Sequence, residues 1–160
     1  MEQDFEFQIL RLSDELYNIY PNPPYTEILK KDKRPYKCLL LETHYDFFIC
    51  IPFRTRMKHN CCFITKSSGQ AEGGHSGLDY TKMVIIQKAK YLGNEAVTVD
   101  HDEYIRIIKN VDVIKRDALD YLEQYIDHHR GITYLSSRQY RKYRYSPLKY
   151  FHKELGISSL

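Results

Sequence analysis

From residue 101 onward, apolar side chains recur every three or four positions: Tyr104, Ile107, Ile108, Val111, Ile114, Ala118, Leu119, Leu122 and Ile126. That spacing lays one apolar stripe along a helix and does not suit a strand, whose faces alternate at every second residue. Upstream the pattern is different. "YKCLLLETHYDFFICIPF" (36–53) consists of two apolar, aromatic-rich runs around a polar turn at His44 to Asp46, which predicts a β-hairpin. Strands first and long helices second make the chain α+β, with helices packed on a strongly curved antiparallel sheet.

The remaining elements are read from local signals. "FEFQILRL" alternates as a first strand, and Ser13 followed by "DEL" caps a short helix that ends at "YPNPP". "PYTEILKKDKRP" is expected to be a helical turn and a basic loop. "CCFITK" and "TKMVIIQ" are expected strands, separated by the glycine-rich "SSGQAEGGHSG", which reads as flexible. "NEAVTV" is a further strand or edge segment. The long helix is expected to break near Asn110 and to end at Gly131, and a last short helix runs from Pro147 to Gly156. Nothing marks a linker or a repeat, so residues 1–160 are expected to form one domain.

Composition excludes several classes. No apolar run approaches the roughly 20 residues of a membrane span, and the acidic start "MEQDFEF" is neither a secretory signal nor a transit peptide. Cys38, Cys50, Cys61 and Cys62 lack CxxC spacing and three lie in strand-like runs, which predicts free thiols in a reducing, cytoplasmic setting. Adjacent strand cysteines point to opposite faces, so Cys61 and Cys62 with His59 make a poor zinc site. No metal and no cofactor is expected.

The stretch with the clearest chemistry is "IPFRTRMKHN" (51–60). Arg54, Arg56, Lys58 and His59 surround the hydroxyl of Thr55, and no neighbouring carboxylate neutralises them. The group follows the most hydrophobic hairpin directly, as a loop mounted rigidly at the rim of the core. Cations around a hydroxyl can bind a phosphodiester and stabilise the extra charge of its transition state, and His59 can move a proton near neutral pH. These parts suit cleavage of RNA by its own 2′-hydroxyl, a reaction unavailable to DNA.

A second basic region is the tail. Between Arg130 and Lys153 there are seven lysines and arginines and no Asp or Glu, although the net charge is only +3. Cations there interleave with tyrosines, a pattern suited to phosphates and unstacked bases of single-stranded RNA. Arg138, Tyr140, Arg141, Lys142, Tyr143, Arg144 and Lys149 are the candidates, with Lys30, Lys31, Lys33 and Arg34 of the "KKDKRP" loop. An amphipathic segment with tyrosines inward and arginines outward is the structural alternative.

"RPYKCLLLE" (34–42), "FFICIPFRTRMKH" (47–59) and "SGLDYTKMVII" (76–86) stand in the order and spacing of a known family. The chain resembles the type III toxin–antitoxin toxins, the ToxN/AbiQ endoribonucleases, and is most similar to their CptN and TenpN branches. The likeness spans most of residues 7–130. It implies a barrel-like MazF/Kid toxin fold with added helices, and metal-independent, sequence-selective cleavage of single-stranded RNA to 2′,3′-cyclic phosphate and 5′-hydroxyl ends. It also implies inhibition by a tandem-repeat RNA antitoxin. The toxin would cut that precursor into pseudoknots and bind them in closed assemblies, often as phage defence. Thr55 matches the family's hydroxyl residue and His59 its histidine. The family's lysine is displaced to Lys58, so either Arg56 or Lys58 would face the phosphate, with Arg54 as a second ligand. Tyr17 and Tyr25 are the candidates for the family's N-terminal tyrosine. Messenger RNA and antitoxin RNA are the expected partners, without DNA or membrane. A non-catalytic RNA-binding module is the alternative.

Overall fold

The predicted hairpin lies at the centre of the sheet because its apolar runs are covered on both faces. In the computed structural model, which describes residues 7–31, 34–67, 73–95 and 97–158, eight strands are assigned among those residues. They are β1 (Phe7–Arg11), β2 (Lys30–Lys31), β3 (Arg34–Pro35), β4 (Lys37–Glu42), β5 (Phe48–Met57), β6 (Cys62–Ser67), β7 (His75–Asp79) and β8 (Val84–Ile86). The α-helices are α1 (Asp14–Ile19), α2 (His101–Lys109), α3 (Val111–His129) and α4 (Ser137–Tyr140). Six strands form one antiparallel sheet in the order β1-β4-β5-β7-β6, with β8 also paired to β5. Leu39 and Leu41 of β4 and Ile49, Cys50 and Ile51 of β5 are wholly buried, so these strands are apolar without alternation. Helix α3 adds Ile114, Ala118, Tyr121, Leu122, Tyr125 and Ile126 to the same core cluster, which reaches from Leu10 to Ile157. The chain is therefore α+β, as its hydrophobic periods predict.

Several expectations are corrected. The sheet is open: among the described residues no pairing joins its edge strands β1 and β6, so the expected barrel is not closed. Residues 30–35 contain the two short paired strands β2 and β3, where a helical turn and loop were expected. "NEAVTV" carries no strand in its described residues. Most consequentially, β5 does not end at Phe53 but continues to Met57, so Arg54 and Thr55 belong to a strand. The helix does break at Asn110, whose backbone sits at φ −125°.

The partner of that extended strand is β7, hidden in sequence within the glycine-rich segment. Gly74 and Gly77 there are held in close backbone approach. A Cβ on Gly77 would lie 2.0 Å from the carbonyl oxygen of Phe63, because β6 approaches that closely. A Cβ on Gly74 would lie 2.6 Å from the Arg56 carbonyl carbon. There β5 bulges between Arg54 and Met57, and Arg56 takes φ +58°, a conformation that costs a non-glycine residue about 1–2 kcal/mol.

On the same side of β5, β7 and β8 form one interrupted strand. Leu78 pairs with Phe53 and Val84 with Cys50, and the 3-10 turn Tyr80–Lys82 loops out between them, opposite Ile51 and Pro52. Pro52 has no N–H to donate to a ladder, so this is where an interruption costs least. Gly77→Ala should destabilise the protein by about 2–3 kcal/mol, because backbone rather than a side-chain tip meets the new methyl. Urea unfolding would measure it, and a loss no larger than that of an exposed strand glycine would contradict the close approach.

Candidate active site

The interrupted strand places a carboxylate at the centre of the cationic segment. Asp79, the last residue of β7, is completely buried. Its Oδ1 accepts hydrogen bonds from the Thr81 amide (2.9 Å) and the Thr81 hydroxyl (2.6 Å), which cap the 3-10 turn. Its Oδ2 accepts from Arg54 Nη1 at 2.7 Å. The expectation that no carboxylate neutralises the cluster is thus corrected. The partner is 25 positions away in sequence and is delivered by strand pairing.

His59 joins the same centre. Its Nδ1 accepts from the Cys61 amide at 3.1 Å, which places the ring proton on Nε2. That Nε2 is buried 3.2 Å from Asp79 Oδ1 but makes no hydrogen bond. The imidazole is therefore held by its own turn and by Asp79. Lys82 of the same 3-10 turn donates to the Tyr145 carbonyl oxygen at 2.8 Å, and burial, followed by the Arg54 charge, pushes its pKa down. The cysteines behave as inert thiols: burial raises Cys38 to about 12 and Cys61 to about 11.

Beside this centre a cleft of about 480 Å³ opens across the sheet. It is lined by Arg11, Tyr36, Lys37, Phe53, Arg54, Thr55, Lys66, Ser76, Gly77 and Glu103. Of the sequence candidates, Arg54 and Thr55 line it; Arg56, Lys58 and His59 do not. The β5 bulge separates the two groups. Arg56 and Lys58 are exposed beyond it, and Lys58 Cε lies 3.6 Å from where a Gly73 Cβ would sit.

Among the described residues, four cations (Arg11, Lys37, Arg54 and Lys66) and one carboxylate (Glu103) share the cleft lining. Arg11 and Lys37 are register partners across β1 and β4. Like charges placed directly opposite repel, a juxtaposition that only the strand register reveals. The Lys37 ammonium sits 4.8 Å from the centre of the Phe53 ring and donates to the Thr98 carbonyl oxygen at 3.1 Å. Burial lowers its pKa; Glu103 opposes that shift and Arg11 adds to it.

The tail forms a separate groove of about 710 Å³, bordered by Tyr125, His128, Tyr134, Tyr140, Arg141, Arg144 and Lys149 among others. Arg138, Arg141 and Arg144 are exposed. Other candidates are already engaged. Lys142 donates to Gln124 Oε1 at 2.7 Å and Lys149 to Glu27 Oε2 at 3.1 Å. Tyr140 bonds to His129 through its hydroxyl, at 2.8 Å. Tyr143 is 4% exposed and donates to the Tyr121 carbonyl oxygen, so it cannot offer its face to a base. Tyr25 packs edge-on against Tyr20 and Tyr150. Tyr17 is buried, its hydroxyl donating to the Leu29 carbonyl oxygen and its ring carrying the Lys30 ammonium at 5.2 Å. Lys31 and Arg34 lie in β2 and β3, while their side chains, and Lys33 entirely, fall outside the described residues.

Comparison with protein-family models, with curated proteins and with solved structures finds no match to this chain.

Asp79→Asn keeps the shape but removes the charge facing Arg54 and His59. Because Arg54 is about a third exposed, the loss should be about 2–4 kcal/mol rather than the full cost of an orphaned buried charge. Chemical denaturation measures it, and a neutral result would mean that the pair contributes geometry only. The tail anchor is tested by acid. Burial pushes the Glu27 carboxyl up, but the Tyr150 hydroxyl and the Lys149 ammonium outweigh it and hold the pKa down at about 2. A lowered carboxylate pKa stabilises the folded state above the ordinary value of 4.5, and that contribution disappears as pH falls from 4.5 toward 2. Melting temperatures recorded between pH 6 and pH 3 should therefore fall less steeply for Glu27→Gln than for the wild type.

Proposed function

We propose that the protein is a ribonuclease for single-stranded RNA whose scissile phosphate lies in the basic cleft of β5, acting in the manner of the type III toxins it resembles. The observation that carries this reading is the meeting of Arg11, Lys37, Arg54 and Lys66 around the exposed Thr55 hydroxyl and the Phe53 ring. A phosphodiester bound there would meet several cations as its transition state gains charge, held by strands rather than by loops. Thr55 would hydrogen-bond a non-bridging oxygen, and Phe53 would stack one base.

The reading keeps Thr55 of the family pattern at the phosphate, with Arg54 as a second ligand, and turns His59 into a positioning group that orders the turn beside Asp79. An open sheet in place of a closed barrel is its departure from the MazF/Kid fold. The tail groove, with Arg141 and Arg144 exposed, is where a folded antitoxin RNA would dock, and the protein would act on messenger RNA in the cytoplasm.

One observation favours a non-catalytic RNA binder instead: His59, the only histidine in the cationic segment, has Nδ1 engaged by the Cys61 amide and Nε2 turned to Asp79. A single experiment separates the two. Purified protein is incubated with a long messenger transcript, in EDTA and again with magnesium, and the ends of any fragments are analysed. A ribonuclease leaves 2′,3′-cyclic phosphates in EDTA. Thr55→Ala should slow it by about 10²-fold while RNA affinity changes by only the ~1 kcal/mol of one hydrogen bond. Intact transcript under both conditions, with binding retained, would sink the nuclease and leave the binder.

A further inference from the structure

We infer that Glu103 is the general base of the cleft, the group that takes the proton from the attacking 2′-hydroxyl. The assignment rests on the ribonuclease reading and names a residue outside the cationic segment that suggested it.

A carboxylate in a cleft that binds phosphates repels its own ligand, so its presence there needs a reason. Glu103 is the single carboxylate among the described residues lining the cleft. It stands in the first turn of α2 and is fixed from two directions. Its amide donates to Asp100 Oδ2 at 3.2 Å, and its Oε2 accepts from the Thr65 hydroxyl of β6. One such bond leaves most of the roughly four lone-pair sites of a carboxylate available. A base held by helix and strand together is preorganised for proton transfer.

The other candidates are placed differently. Asp79 is wholly buried and engaged by Thr81 and Arg54, and His59 has Nδ1 committed to the Cys61 amide. Lys37 and Arg11 are cations suited to phosphate rather than to accepting a proton.

In the step that follows, the 2′-O–H bond breaks and its proton passes to the Glu103 carboxylate. The 2′-oxygen then forms a bond to phosphorus, and the bond from phosphorus to the 5′-oxygen breaks. That oxygen departs with a proton from solvent or from the Lys37 ammonium. The products are a 2′,3′-cyclic phosphate and a 5′-hydroxyl, with no oxidant or reductant consumed.

The test is steady-state cleavage, by wild type and Glu103→Gln, of a single-stranded RNA oligonucleotide spanning a site that the wild type cuts in the transcript. Glutamine still accepts from Thr65 but cannot take the proton. The expected result is a fall in kcat of about 10²–10⁴-fold, with KM unchanged or lower because a negative charge has left the cleft. The 2′-O-methyl form of the same oligonucleotide should bind both proteins at least as tightly after the change. A purely structural Glu103 would leave kcat within a few-fold of wild type, and a base-reading Glu103 would raise KM or shift the cleavage sequence; either result overturns the assignment. If the glutamine variant does not fold, Glu103→Asp replaces it: the shortened base should lower kcat at constant KM, and an unchanged kcat overturns the assignment. A wild type that cuts no RNA is a different failure, that of the ribonuclease reading itself.

Discussion

The ion pair between buried Asp79 and half-buried Arg54 is the contact on which the cleft depends. A carboxylate with no solvent exposure is tolerable only when its oxygens are filled, and here Thr81 fills one while Arg54 fills the other. Each bond also performs a geometric task. The Thr81 contacts close the 3-10 turn that interrupts the strand opposite Pro52. The Arg54 contact fixes a long cation that would otherwise sample many rotamers. With Arg54 tied on one side, the Thr55 hydroxyl and the remaining cations define the opening beside it. His59 extends the same centre, its ring held between the Cys61 amide and the Asp79 carboxylate.

Around this contact the backbone approaches limits that only certain residues permit. Gly77 lets β6 close against β7, Gly74 lets the chain before β7 approach β5, and Arg56 accepts a left-handed conformation at the bulge. Such local strain persists where neighbouring structure over-determines it, and it marks positions at which direction matters more than stability. The bulge decides that Arg54 and Thr55 face the cleft while Arg56 and Lys58 stay outside it.

Both basic regions have part of their charge engaged within the fold. In the tail, Lys149 is neutralised by Glu27, Lys142 is bound to Gln124, and several tyrosines serve as packing for α3. In the cleft, Arg54 is paired with Asp79 and Lys37 donates to the Thr98 carbonyl oxygen, and Glu103 shares the lining. Density of positive residues along a chain is therefore a weak guide to positive potential at a surface, because distant acids can be folded against it.

The α+β class, the central hairpin and the helix break at Asn110 are legible in the sequence. Hydrophobic period, capping signals and local charge are properties of neighbours along the chain, and a linear reading captures them. The glycine-rich β7 was not legible, because glycines required by a close strand approach look the same as glycines in a flexible loop. Nor was the cleft: Arg11, Lys37, Arg54, Lys66 and Glu103 come from β1, β4, β5, β6 and α2. Which side chains meet depends on strand register and on where a bulge falls, since a slip of one residue turns every side chain to the other face. The sequence by itself determined the kinds of element and the kinds of chemistry available. Tertiary pairing alone decided which carboxylate would meet which cation, because electrostatic partners and cleft walls are chosen through space.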